Sequence, residues 1–560
     1  MDKGWNIALT IVSCTLIAAI FLPYNKRRNP FRTIGRKVSR FLKPIETFIE
    51  QHHVLFFWMI FLLCASVRIV FFPSVPGGLN QDEASMGYDA YATAFFGIDR
   101  NGHHLPIYAM SWGSGQNVLM MYFTVFFVRI LGLSVFSVRL TALVFGIIAP
   151  VVLYHLVRLL TEDKSKRVSR IPALFAFFLL SVSPWHIMLS RWALESNILP
   201  AVFLIGVYLL VLAVQKKKTL YFCLSAGVFA LSMYAYATVC LIMPIFLLGV
   251  VVFLMMKKLI SVKQVVYSVI VFLVLATPMI LFFAVNVFGL EPIYTSFLSI
   301  PKLSALRSGI SPGSALENAS VFMDILMTQN DNLLWNSIDG FGIVYLFLLP
   351  FALVGVASVI SERSRSPNKL VMAWWLLCAF VLSCLIYTNI NRMNLFFIPY
   401  IYMICEGVMF VSRRARLTTA VITVLTAATF IAFCGVYFGN EYRNDIEQCF
   451  YASYGEAVEV ADKVSEGREV YLEIINGTEV MALFYTKFDP REYVETVVYE
   501  THNAEFRFVS SFGKYHIGIP EEKESSAVYV VSNDRLGEFD DDVFEIKQFE
   551  YYSVAIGRGD

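Results

Sequence analysis

Over residues 1–439 the hydrophobic positions run on in long unbroken stretches, neither alternating nor marking one helical stripe. Stretches of about 20 apolar residues are what a membrane-crossing helix needs. Twelve are read: 5–22, 54–72, 137–157, 171–188, 196–214, 219–236, 239–256, 264–286, 341–360, 370–388, 395–411 and 418–438. The pattern changes after residue 440. Residues 454–466 read as a helix, while 469–475, 493–499, 504–511, 526–532 and 543–549 have the β-type alternation of strands. The expected fold is an α-helical polytopic membrane protein of about 12 transmembrane helices with a small C-terminal α/β domain. Its parts are 1–53 (first helix and basic linker), 54–439 (transmembrane domain with external loops 73–136 and 287–340) and 440–560 (soluble domain). A tail of about 120 residues can bury a core of its own.

Composition agrees. The chain is 57% hydrophobic and 16% charged, against about 45–50% and about 25% in soluble proteins. That excludes a soluble multi-domain enzyme and a nucleic-acid-binding chain. Residues 1–439 carry 34 Lys/Arg against 17 Asp/Glu, while residues 440–560 carry 11 against 26, so the two regions face different environments. Connecting loops rich in Lys/Arg stay cytoplasmic. Such clusters fall at 23–53 (Lys26, Arg27, Arg28 and five more), 158–170, Lys216–Lys218, Lys257–Lys263, Arg363–Lys369 and Arg413–Arg416. All share one side if residues 5–22 act as a signal anchor with the N-terminus outside, and twelve passes return the acidic tail to the outside. The expected location is the plasma (inner) membrane, with the C-terminal domain extracytoplasmic. Residues 116–134 would break this parity, so they read as a helix lying in the outer interface; the alternative is a true span with the C-terminal half reversed. Eight of nine cysteines lie in apolar segments, so no disulfide framework or zinc motif is available.

Polar groups at membrane depth or at its rim are costly and call for a functional reading. The densest stretch is GGLNQDEASMGYDAYATAFFGIDRNGHHLPIY, residues 77–108. Asp82 and Glu83 follow a Pro/Gly turn and open a helix-compatible segment. Asp89, two turns on, shares a face with Asp82, and Tyr88 stands beside it. A carboxylate here suits a general base, an electrostatic partner for a cationic transition state, or a metal ligand; the alternative is an N-terminal cap favoured by the helix dipole. Arg100, Arg129, Arg139, Arg191, Lys302, Arg307 and Arg392 depart from the cytoplasmic pattern. Arg191 and Glu195 precede the fifth span, and Arg392 lies between the tenth and eleventh. Each arginine alone reads as a snorkelling anchor; together, beside an acid pair, they suit a lipid phosphate, whose oxygens fit the guanidinium fork.

The runs DEASMGYDAYATAFFGIDRNGHHLPIY, YFTVFFVRILGLSVFSVRLTALVFG and SPWHIMLSRWALESN resemble the protein O-mannosyltransferase-like glycosyltransferases of the C-type fold, whose bacterial branch includes the aminoarabinose transferases. The resemblance covers roughly 54–440. It implies a lipid-linked sugar donor, typically on polyprenyl phosphate, used on the external face. It assigns Asp82 to the family's catalytic aspartate, Glu83 to its acidic neighbour and Arg139 to a functional arginine, and places Arg191 and Arg392 where the bacterial branch often has arginine. No lysine occurs between 73 and 136, so His103, His104 or Arg100 stands in for the first-loop lysine of the lipid A enzymes.

The expected activity is transfer of a hexose or pentose from a polyprenyl-phosphate donor to an extracytoplasmic protein, lipid or cell-wall glycopolymer. Inversion is expected, with Asp82 as base or acceptor-orienting group. Tyr88, Asp89, His103, His104, Arg139, Arg191, Glu195 and Arg392 are read as substrate-binding. No cofactor is assigned, and a divalent-metal requirement is left open. The rival reading is a lipid-linked sugar flippase without catalysis, which would call for pseudo-symmetric halves; no internal repeat is visible.

Overall fold

Each apolar segment read from the sequence holds a helix over part of its described length in the computed structural model, which describes residues 3–18, 31–111, 114–161, 169–304, 312–362, 367–500 and 507–559; residues 19–22 of the first lie outside them. Lys26, Arg27, Arg28, Lys164, Lys166, Arg167, Arg307 and Arg363 lie outside the described residues, as does the segment 504–506. Among the described residues six helices are long and apolar enough to cross a membrane: Val135–Thr161, Glu195–Lys216, Val239–Met256, Val262–Phe288, Asn394–Ser412 and Leu417–Tyr437. The other expected spans are shorter helices of 10–17 residues, or the pair Arg40–Gln51 and His53–Ile69, which meets at 81°.

The short helices stop for local reasons. Ile171–Ser181 breaks before Pro184, which cannot donate to the ladder, and resumes as Pro184–Leu189. Thr219–Ser232 and Leu370–Leu385 end where the turns 233–238 and 386–393 begin, and both turns contribute to the cavity described below. Residues 116–134 hold the helix Leu119–Leu131, about 20 Å long at 1.5 Å per residue.

Asn394–Ser412 is buried at nearly every position and forms the centre of the bundle, whereas Val262–Phe288 exposes most of its apolar surface. The central helix touches Leu349–Ser361 backbone to backbone: a Cβ at Gly355 would meet the Met403 carbonyl, and one at Gly407 the Phe351 carbonyl. Small residues allow this approach. Gly407→Ala is expected to destabilise the detergent-solubilised protein by about 1–3 kcal/mol, seen as a lowered Tm. Gly435→Ala, with open space around it, should leave Tm unchanged. Glu406, toward the C-terminal end of the central helix, accepts from Lys369 Nζ at 2.7 Å and from the Tyr402 hydroxyl at 2.8 Å.

The tail holds a seven-stranded mixed sheet. Its central strand Val470–Leu472 runs parallel to Tyr515–Ile517 on one side and to Val528–Ser532 on the other; antiparallel strands complete both flanks. Tyr454–Ser465 is the expected helix. Residues 493–499 are mostly not a strand: Pro490–Thr496 is helical, with Asp489 accepting the Arg491 N–H at 2.8 Å. Asp-Pro is a helix-start signal that outweighs the alternation. A further helix, Thr478–Thr486, is buried along Thr478–Phe484 and packs on the membrane half.

Candidate active site

The helix Gln81–Phe96 carries the acids. The Asn80 side chain accepts the Asp82 N–H at 2.9 Å, and the Glu83 carboxylate accepts the Asn80 N–H at 3.1 Å, a reciprocal cap that starts the helix at that point. One face presents Asp82, Ser85 and Asp89, at i, i+3 and i+7. The opposite side is pinched, since a Cβ on Gly87 would lie 2.7 Å from Val138 and 2.8 Å from Phe484 of the tail.

Beside the first turn of this helix lies a cavity of about 1000 Å³, at the upper end of small-molecule sites. Asp82, Glu195 and Arg392 all line it, with Tyr236, Asn117, Gln116, Asn389 and Asn391. Leu241, Phe282, Phe283, Val287 and Ile386 supply an apolar wall. The contributing loops 108–117, 194–196, 236–238 and 386–392 are those the charge pattern assigns to the outer side. Asp82 accepts from Gln116 Nε2 at 3.2 Å. Glu195 holds Asn117 through its backbone N–H and, at 3.0 Å, its Nδ2, and Asp82 is close enough for its charge to act on Glu195. Tyr236 feels Arg392 and both acids. Arg392 is the one Lys or Arg among the described residues on the wall; its guanidinium lies 5.4 Å from the Tyr387 ring centroid and donates to the Tyr387 carbonyl at 3.2 Å. The loop that carries it is tied down by Asp331, which accepts the Ile390 N–H at 2.9 Å. Among the described residues no three His, Cys, Asp or Glu side chains gather into a metal-binding group.

The remaining expected site residues lie elsewhere, each for a physical reason. Glu83 is fully buried and away from the cavity: it accepts Arg139 Nε at 2.8 Å, Arg139 Nη2 at 2.7 Å and the Ala193 N–H at 2.7 Å. Arg139 has no donor left for a phosphate, because its other N–H groups go to the carbonyls of Pro73, Pro76 and Gly78. Arg191 caps the end of helix His53–Ile69, donating to the carbonyls of Val67, Arg68, Val70 and Val75. Of the three arginines expected to meet a phosphate, Arg392 lines the cavity, and Arg139 and Arg191 do not. The Tyr88 hydroxyl donates to the Phe488 carbonyl of the tail at 2.7 Å. His103 sits on Asp99 and stacks on Tyr294, and His104 meets the Gly97 carbonyl; neither lines the cavity. Asp89 is buried and accepts the Arg100 N–H at 3.1 Å, and burial holds its carboxyl above the ordinary range against the pull of Arg100.

Tyr236, Asn117 and Gln116 were not singled out by the sequence reading. The break Tyr234-Ala235-Tyr236-Ala237-Thr238 inside an apolar run is the signal that could have found Tyr236. The other two sit on a hairpin, Tyr108–Ser111 with Ser114–Asn117, that lacks alternating hydrophobicity.

Residues 116–282 match the family model of dolichyl-phosphate-mannose-protein mannosyltransferases. No curated protein matches the sequence. Among solved structures, ArnT from Cupriavidus metallidurans in its apo state superposes with a TM-score of 0.51 at 12% identity, over 90% of this chain and 97% of that one. The same protein bound to undecaprenyl phosphate gives 0.51 at 11% identity, over 90% and 98%. The oligosaccharyltransferase of Archaeoglobus fulgidus gives 0.49 at 12% identity over 78% of this chain, which spans 64% of that protein's length. The chain has the fold of the C-type glycosyltransferases, and part of its membrane half carries the sequence pattern of their mannosyltransferase branch.

Proposed function

We propose that the protein is an integral membrane glycosyltransferase that moves a sugar from a polyprenyl-phosphate donor to an extracytoplasmic acceptor. The observation that carries this reading is one cavity joining two carboxylates, a single arginine and an apolar wall. The binding of undecaprenyl phosphate by ArnT of C. metallidurans, and the mannosyltransferase match over part of the wall, support the class of donor. The twelve-pass topology, with site and tail outside, rests on the charge pattern. On this reading the first helix and basic linker (1–53) precede the transferase domain (54–439), and the tail (440–560) is extracytoplasmic.

The polyprenyl chain lies along Phe282, Phe283 and Val287, and the phosphate meets Arg392. An acceptor hydroxyl attacks the anomeric carbon, whose bond to the phosphate oxygen breaks as oxocarbenium-like charge develops. Asp82 takes the hydroxyl proton on the opposite face and the configuration inverts. The electron pair leaves with polyprenyl phosphate, whose charge Arg392 stabilises, a preoriented electrostatic effect. Glu195 holds the hairpin through Asn117 and faces the sugar. Membranes containing the protein and a radiolabelled polyprenyl-phosphate sugar should release free polyprenyl phosphate as label enters the acceptor. Intact donor recovered on the opposite leaflet would make the protein a flippase.

Arg392→Gln removes a charge-assisted contact of about 1.5–3 kcal/mol. Its kcat/KM for donor should fall about tenfold to a hundredfold, measured in the same assay, while Arg191→Gln should act on Tm.

A further inference from the structure

Arg100 is buried between the helix Gln81–Phe96 and the hairpin, and its Nη2 donates to Ser85 Oγ at 2.8 Å and to Ser111 Oγ. Ser85 in turn donates to Gln116 Oε1 at 2.8 Å, and Gln116 Nε2 donates to Asp82 at 3.2 Å. With the single Ser85 proton spent on Gln116, the 2.9 Å contact between Ser85 and Ser111 takes its proton from Ser111. Every donor in the chain thus points toward Asp82. Hydrogen bonds aligned in this way polarise one another in a low-dielectric interior. At the far end Asp89 balances Arg100, with 3.9 Å between Asp89 Oδ2 and Arg100 Nη2, and Glu479 of the tail also acts on the guanidinium.

We infer that Arg100 is a positioning residue that acts through Ser85 and Gln116 to hold the Asp82 carboxylate oriented and charged for proton abstraction. The inference rests on the reading of Asp82 as base. The donor chain favours the carboxylate, as hydrogen bonds to a charged form do. The groups facing Asp82 from the other elements oppose or assist it: Glu195 from the turn 195–198, Tyr236 from the turn 233–238, Arg392 from the loop 386–393 and Tyr108 from the hairpin. Glu83 on its own helix is neutralised by Arg139.

A base must be deprotonated, so activity fails as pH falls through its pKa; removing a donor raises that pKa, and the acidic limb moves to higher pH. Gln116→Met should lower kcat about tenfold with donor KM unchanged, and move the acidic limb of kcat/KM up by about one pH unit. Gln116→Glu, which sets a like charge against Asp82, should move it further, and Ser85→Ala less. Arg100→Lys should restore part of the shift seen in Arg100→Gln. Limbs that stay in place while kcat falls would reduce the chain to packing and overturn the inference. An Asp82→Asn variant run alongside separates the two failures: if it turns over like wild type, the base reading itself is lost; if it is inactive while the limbs stay put, only the role of Arg100 is.

Discussion

Asp82→Asn is expected to lower turnover of a labelled polyprenyl-phosphate sugar by about 10²–10⁴-fold, the range for a lost general base, and to leave the fold in place. The two effects should separate for a structural reason. The start of helix Gln81–Phe96 uses the backbone N–H of residue 82, which the Asn80 side chain accepts. The carboxylate itself faces the cavity and takes Gln116 Nε2, a bond the asparagine oxygen can still accept. The substitution keeps shape and removes charge and basicity. Tm should change little, and donor binding, measured by retention of labelled lipid on the purified variant, should persist. Wild-type turnover by this variant would end the catalytic role of Asp82.

Glu83→Gln does the reverse. Its two oxygens bind Arg139 twice, the Asn80 N–H and the Ala193 N–H, linking the rim helix, the helix Val135–Thr161 and the turn before Glu195. Both partners of the ion pair are fully buried. Removing one charge leaves the Arg139 guanidinium buried and uncompensated, at a cost of about 3–5 kcal/mol. The expected result is a sharp loss of folded, detergent-soluble protein, with a lowered Tm in what remains. Replacing both residues by apolar ones, Glu83→Leu with Arg139→Met, should recover part of that loss, because no unpaired charge is left. If Glu83→Gln instead folds with unchanged Tm and loses only turnover, Glu83 belongs to the chemistry.

Adjacent acids with opposite fates show where the sequence stops being informative. The apolar runs are legible because a membrane helix is specified by length and composition alone: six of them hold helices long enough to cross among the described residues, and the others hold shorter or broken helices. Asp82, Glu195 and Arg392 are legible as polar residues at the rim, and all three line one cavity. Whether a rim arginine faces a substrate or a carbonyl is not written in its neighbours. Arg139 and Arg191 satisfy segments far away in the chain, such as the carbonyls of Val67 and Pro76. The pairing of Glu83 with Arg139 depends likewise on packing across 56 positions. In the tail, local turn chemistry at Asp489-Pro490 overrode a strand-like pattern. The relay from Arg100 is hidden because Ser85 and Gln116 are unremarkable alone and matter only when a hairpin folds back on a helix.

Along Glu83–Ala90 the rim helix is buried on every side. Its Gly87 receives Phe484, its Tyr88 hydroxyl ends on the Phe488 carbonyl, and Tyr91 reaches the Lys487 carbonyl. A chain cut after Gly439 would leave that flank bare, and a graft of an unrelated tail would bring neither the ring nor the carbonyls. Membrane half and tail must then diverge in step: a change on one side of this seam that loosens the grip on Gly87 should tilt the helix that holds Asp82, so that the carboxylate answers to both halves of the chain.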